Sequence, residues 1–271
     1  MLIQIQGFSQ EEPPKKTYSI KHPKGNFFLF WGYNRGTYSK SDIHVKGSNY
    51  DFTLHDVPAH DMPEEFSFAV YFDPQKITIP QFNARGGYYI SDNWVVSAGW
   101  DHMKYQTNDG AEVTISGTID ESASYAYAGT YDNESITMNH NELVRMEHSD
   151  GLNLIQFNLE RHDLLWINKN EKLALESVLG SGIIFPMPWT NAKIFGKAND
   201  DRPHFTGVGL SVFAGVKFFF FKHVFLQAVG KTGFLTLPGI VITPKGGSER
   251  ASQKIIFGEA LVVVGYSFRL Y

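Results

Sequence analysis

The chain has 271 residues, 42% of them apolar and 15% aromatic, with 25 glycines and no cysteine. This composition excludes a disordered chain, a disulfide scaffold, thiol catalysis and thiolate metal sites. Its 24 Lys and Arg against 28 Asp and Glu give a net charge of −4 without a basic block, so no nucleic-acid partner is expected. The densest apolar run, Val212 to Leu226, is broken by Lys217, Lys222 and His223. No segment therefore has the roughly 18 consecutive apolar residues of a spanning helix, which leaves spanning strands open.

Residues 1–9, MLIQIQGFS, form an apolar stretch ending in small residues and read as the remnant of a signal peptide with cleavage near Ser9. Residues 10–24 have the composition of a linker, and 25–271 read as one all-β domain. From there period-two alternation dominates, with β-branched and aromatic residues in the runs and Gly, Asn and Asp at the breaks. In QFNARGGYYI, residues 81–90, Gln81, Asn83, Arg85 and Gly87 share one face and Phe82, Ala84, Gly86, Tyr88 and Ile90 the other. After the turn at 91–93, Trp94, Val96, Ala98 and Trp100 alternate with Ser97, Gly99, Asp101 and Met103, which makes a tight hairpin.

Continued along the chain, the pattern predicts eight strands at about 25–36, 78–90, 94–106, 151–163, 173–187, 205–221, 224–238 and 254–271. The links at 91–93, 164–172 and 222–223 are short, and those at 37–77, 107–150, 188–204 and 239–253 are long. All long loops then lie at one end of an antiparallel up-and-down meander. Val113, Ile115 and Ile119 alternate inside the second long loop, so ten strands is the alternative.

By parity one face collects Arg85, Lys217, Lys231 and Arg269 with Asp101, Glu160, Glu176 and Glu259, together with Gln81, Asn83, Gln156, Asn158 and Gln227. The opposite face collects Ile155, Phe157, Leu159, Leu210, Val212, Val216, Phe218 and Leu226 and carries scarcely a charge. A soluble barrel would turn the apolar face inward and a membrane barrel outward. Strand lengths near the 9–11 tilted residues of a membrane crossing favour the second. So do two sets of aromatics near the strand ends. Tyr88, Trp94, Trp166, Phe220, Phe225 and Phe268 lie by the short turns, and Trp31, Tyr33, Trp100, Phe185, Trp189, Phe205 and Phe234 toward the long loops.

The final VGYSFRLY places Gly265, Phe268 and Leu270, with Tyr271 added, at the spacing of an assembly signal on last strands. With that strand and the turn pattern, the chain resembles the small OmpA/OmpX-type outer-membrane barrels of Gram-negative bacteria. The resemblance covers 25–271 in architecture. It implies eight strands, short periplasmic turns, long extracellular loops, contact with lipopolysaccharide and insertion by the barrel-assembly machinery.

An eight-stranded barrel has room only for its own side chains, so the lumen charges are expected to form a plug. Histidines offer the other reading. His44, His55, His60, His140 and His148 lie in the two longest loops and His102 near the top of its strand, most beside an acid. Asp101, His102, His148 and Asp150 are the candidates for a catalytic or metal-binding set at the extracellular rim. No fixed nucleophile or metal spacing accompanies them, so neither metal nor cofactor is expected, and the sequence leans away from an enzyme. The expected function is structural, adhesive or assembly-related through loops 37–77 and 107–150, whose Phe66, Phe68, Tyr71, Phe72, Tyr125 and Tyr127 would dock a surface protein. A lipid A-modifying enzyme is the alternative.

Overall fold

Alternation of period two puts successive side chains on opposite faces of a strand, and from Phe27 onward the chain folds as one antiparallel sheet. The computed structural model describes residues 17–199, 203–243 and 247–270. The signal-peptide remnant at 1–9, the linker residues 10–16 and Tyr271 lie outside them. The first strands are β1 (Phe27–Tyr38), β2 (Ser41–Gly47), β3 (Tyr50–Val57) and β4 (Ala59–His60), followed by one helical turn, α1 (Phe68–Tyr71). Then come β5 (Phe82–Tyr89), β6 (Trp94–Thr107), β7 (Glu112–Ile119), β8 (Gly129–Thr137), β9 (Val144–Ile167) and β10 (Ala174–Pro188). The chain ends with β11 (Asn191–Ile194), β12 (Lys197–Ala198), β13 (Val208–Phe220), β14 (Val224–Val241) and β15 (Arg250–Phe268).

Eight strands pair in the order β1-β5-β6-β9-β10-β13-β14-β15. Strand β1 also pairs with β15, from Phe27 opposite Phe268 to Tyr38 opposite Phe257, so the eight close into a ring whose wall has no free edge. The hairpin β7–β8 adds no spans to it. It pairs with β3, outside the ring, and the ten-strand alternative gives way to eight.

The long loops build a cap at one end. Residues Arg250–Gln253 of β15 rise past the ring and pair with β2, and the sheet runs on through β3 and β7 to β8. Likewise β9 starts at Val144, seven residues before the expected 151, because its first turns pair with β11 in the cap. Ile43, Val45, Phe52, Leu54, Val113, Ile115, Met146 and Leu237 bury their side chains together there. At the opposite end the turns are tight. Phe221 and Lys222 both take left-handed φ, 51° and 79°, as a hairpin that matches the strand twist requires.

The outer wall is apolar. Phe157, Leu179, Leu210, Val212, Val262 and Val264 are each more than half exposed, an area that water would penalise and lipid accommodates. Exposed Tyr88, Trp94 and Trp166 ring the turn end, and Trp100, Phe185, Trp189, Phe205 and Phe234 ring the loop end. Phe225, expected among the first set, points inward and is fully buried against Phe28 and Phe219. Its ring lies over Gly265, where a Cβ would come within 2.1 Å of Phe225 Cζ, which gives the glycine of the last-strand signal a packing reason. Phe268 of the same signal faces Phe27 at the turn end, and Leu270 is exposed.

Candidate functional site

The inward faces of the eight strands meet in a charged layer. Lys231 of β14 and Glu259 of β15 stand directly opposite each other, with Nζ 2.8 Å from Glu259 Oε2, and Lys231 also bonds Asp101 of β6. Arg85 of β5 lies 3.5 Å from Asp101 and 3.8 Å from Glu160. It crosses Gly99, the residue opposite it in the register, where a Cβ would come within 2.8 Å of the guanidinium Nε. Lower in the barrel Lys217 of β13 and Glu176 of β10 are again register partners, 3.9 Å apart.

The fourth basic group of the expected set is absent from this layer. Arg269 follows the end of β15 and packs beside Gly25 at the turn end. Its place is taken by His162, two residues from Glu160 and therefore on the same face. His162 Nε2 is 2.8 Å from Glu160 Oε2, and Nδ1 is 3.0 Å from Lys217 Nζ and 2.8 Å from the Tyr89 hydroxyl. An ammonium can only donate, so Nδ1 accepts from Lys217 and the imidazole is neutral, with Nε2–H donating to Glu160. The layer then holds Arg85, Lys217 and Lys231 against Asp101, Glu160, Glu176 and Glu259. Neutral donors spread the surplus negative charge. Asn83 donates to Glu259 at 2.7 Å, Gln156 to Asp101 and Ser97 to Glu160.

Two buried apolar clusters flank this polar zone. Toward the turns Phe28, Tyr89, Val95, Phe219 and Phe225 pack together with Ile20, 2% exposed, while Val178 and Phe213 of the same cluster stand among the charged residues, Phe213 opposite Lys231 in the register. Residues 17–24, expected as linker, are held there. The Tyr18 hydroxyl donates to the Lys222 carbonyl at 3.0 Å, Lys21 pairs with Glu171 and the Lys24 amide donates to Asp92. Burial pushes the Tyr18 hydroxyl well above the usual phenol range. Toward the loops lies the buried core of the cap.

The four rim candidates do not meet. Asp101 points into the lumen, whereas His102, the next residue, faces outward with its ring 5.1 Å from Phe82 and Nδ1 2.8 Å from Asn153 Oδ1. The register between β6 and β9 sets Asp101 opposite Leu154, His102 opposite Asn153 and Tyr105 opposite His148, which keeps them in separate rows. His148 lies in the cap above Gly151, the acceptor for the Trp189 amide, and its Nδ1 is 3.0 Å from Thr190 Oγ1. Burial pushes its imidazole down to about 3. Asp150 is exposed. Among the described residues no cluster of three or more His, Asp or Glu is arranged to hold a metal.

The loop aromatics divide. Phe66, Phe68, Phe72 and Tyr125 are 65% or more exposed, while Tyr71 is buried against Tyr33 with its hydroxyl on the Glu64 carbonyl.

No protein-family model matches the chain, and neither does any curated protein sequence. Among solved structures it is similar to the outer-membrane protein OprG of Pseudomonas aeruginosa, with 12% identity, 92% of this chain and 99% of that one covered and a TM-score of 0.40. It is also similar to AlkL, an outer-membrane protein solved in lipid bilayers, with 10% identity, 97% and 98% covered and a TM-score of 0.42. For Neisserial surface protein A the values are 9%, 90% and 97%, and 0.37. Independently of these likenesses, the ring closure, apolar exterior, aromatic girdles and charged interior of this chain are those of a membrane-spanning β-barrel.

Proposed function

We propose that the chain is an integral outer-membrane protein of a Gram-negative bacterium, a closed pedestal that carries a folded cap outside the cell and acts in adhesion or surface assembly. The supporting observation is the inward-facing Arg85, Asp101, Lys231 and Glu259 network between two buried apolar clusters; a lumen plugged in this way leaves the cap as the part that meets other molecules. Exposed Phe66, Phe68, Phe72 and Tyr125 supply the contact chemistry toward a surface protein, and the lipid-facing wall supplies it toward lipopolysaccharide. Gly265, Phe268 and Leu270, with Tyr271, serve recognition by the barrel-assembly machinery.

Fractionation and surface capture test this reading. The chain should be recovered in the outer membrane with heat-modifiable migration. Cells displaying Phe68→Ser with Tyr125→Ser should lose adherence, or capture of an outer-membrane partner, while retaining the same migration. Recovery in the soluble periplasmic fraction would overturn the membrane assignment, and unchanged adherence and capture would overturn the role of the cap.

A further inference from the structure

The solvent face of the cap sheet holds a set of neighbouring polar side chains separate from the lumen and the rim. Asp42, His55 and Ser116 lie in a row across three neighbouring strands, β2, β3 and β7, on the face opposite buried Ile43, Leu54 and Ile115. The Ser116 hydroxyl is 2.8 Å from Nε2 of His55. Nδ1 of the same ring is 3.4 Å from Oδ2 of Asp42, whose other oxygen accepts the Asp56 amide at 3.0 Å. One imidazole is thus held between a serine hydroxyl and a carboxylate that the backbone itself orients.

The backbone is irregular at each of these positions. The β2–β3 register shifts between Ser41 and Ile43, at Asp42, and the β7–β8 register shifts between Ile115 and Ser116. Asp56, beside His55, and Gly117, beside Ser116, both have left-handed φ, 53° and 114°. A Cβ at Gly117 would come within 2.3 Å of the Asp51 carbonyl oxygen, so the chain next to Ser116 requires glycine. Bulges re-aim side chains, and backbone strain of this kind collects at functional sites. Asp42 and His55 also line a groove whose other charged lining residues are Lys40, Asp56 and Lys254.

We propose that Ser116, His55 and Asp42 form a nucleophile, base and carboxylate triad that hydrolyses acyl esters of anionic alcohols, an activity beyond the role assigned to the cap above. As Ser116 Oγ bonds to the ester carbonyl carbon, its proton passes to His55 Nε2. Collapse of the adduct breaks the bond to the alcohol oxygen, which takes that proton from His55. Water, deprotonated by the same nitrogen, then displaces the acyl group as a carboxylic acid and restores Ser116. Asp42 is a positioning residue that fixes the imidazole tautomer, and Lys40 and Lys254 face the negative charge of the departing alcohol.

The test uses the purified full chain in detergent, a fluorophosphonate probe and p-nitrophenyl butyrate. The expected result is a single probe adduct on Ser116 by peptide mass spectrometry. Ester hydrolysis should fall on the order of 100-fold or more in Ser116→Ala and in His55→Gln, with heat-modifiable migration unchanged. Asp42→Asn should lose rate that Asp42→Glu partly restores, whereas Ser124→Ala should behave as the parent. The location of the adduct needs no variant. A wild-type chain that is unlabelled at Ser116, or a folded Ser116→Ala that retains its hydrolysis, would overturn the proposal.

Discussion

Lys231 is the residue on which the lumen balance turns, because it bonds both Asp101 and Glu259 and all three are fully buried or nearly so. Removing one partner of a buried ion pair strands the other charge in a medium that solvates it poorly, at a cost of about 3–5 kcal/mol. Lys231→Met should therefore lower the temperature at which the folded, fast-migrating form converts to the unfolded one. Adding Glu259→Gln removes one of the two stranded carboxylates, so the double variant should recover part of the loss. A Lys231→Met protein as heat-stable as the parent would show that water reaches this layer. His162 belongs to the same balance; the sequence reading passed over it, although its parity with Glu160 is the signal that could have found it. Arg269 has the right parity as well, yet parity places a side chain only while the strand lasts, and β15 ends at Phe268.

At the scale of the element, the cap is held by histidines that folding keeps uncharged. Burial lowers the imidazoles of His140 and His148, the latter to about 3, with His204 adding to the effect on His148. The unfolded imidazole titrates near 6.5, so protons bind the unfolded cap first. The stabilising contribution is whole above that pH and is lost as pH falls below it toward the folded value. At pH 5 the loss from His148 alone is about 2 kcal/mol by this linkage. Hydrogen exchange, corrected for the intrinsic rate, should speed up in peptides covering 138–150 between pH 7 and pH 5 while the ring strands hold. His148→Leu should remove most of that acid sensitivity, and a cap equally protected at both pH values would contradict it.

The cap was hard to read from sequence for a related reason. β7 alternates Val113 and Ile115 with Thr114 and Ser116, the same one-sided pattern as a spanning strand. An apolar face turned to a cap core and one turned to lipid have the same period, and only the partner strand, here β3, decides between them. The spanning strands were legible because their polar faces carry charges whose partners recur at matching register. The row of Asp42, His55 and Ser116 was not legible, since pairing across three strands leaves no local spacing to find.

At the scale of the whole molecule the proposed plug predicts impermeability. A charged lumen alone would not ensure it, because in a barrel open at both ends the loss of Arg85 would leave a polar path for water and ions. Here the polar layer lies between two apolar clusters, with Phe28, Phe219 and Phe225 toward the turns and the cap core toward the loops. An ion entering either layer would leave its hydration shell without replacement ligands, which costs far more than thermal energy. Arg85→Ala should thus behave as two separable effects. The folded form should melt at lower temperature, because Asp101 and Glu160 lose a shared partner. In planar bilayers, however, the variant should conduct no more than the parent, since neither seal has changed. Glu259→Ala should do the same. Conductance should appear only when Phe28→Ala and Phe225→Ala are combined with loss of the cap strands β2 and β3. A stable pore produced by Arg85→Ala alone would mean that the charges, and not the apolar layers, keep the barrel shut.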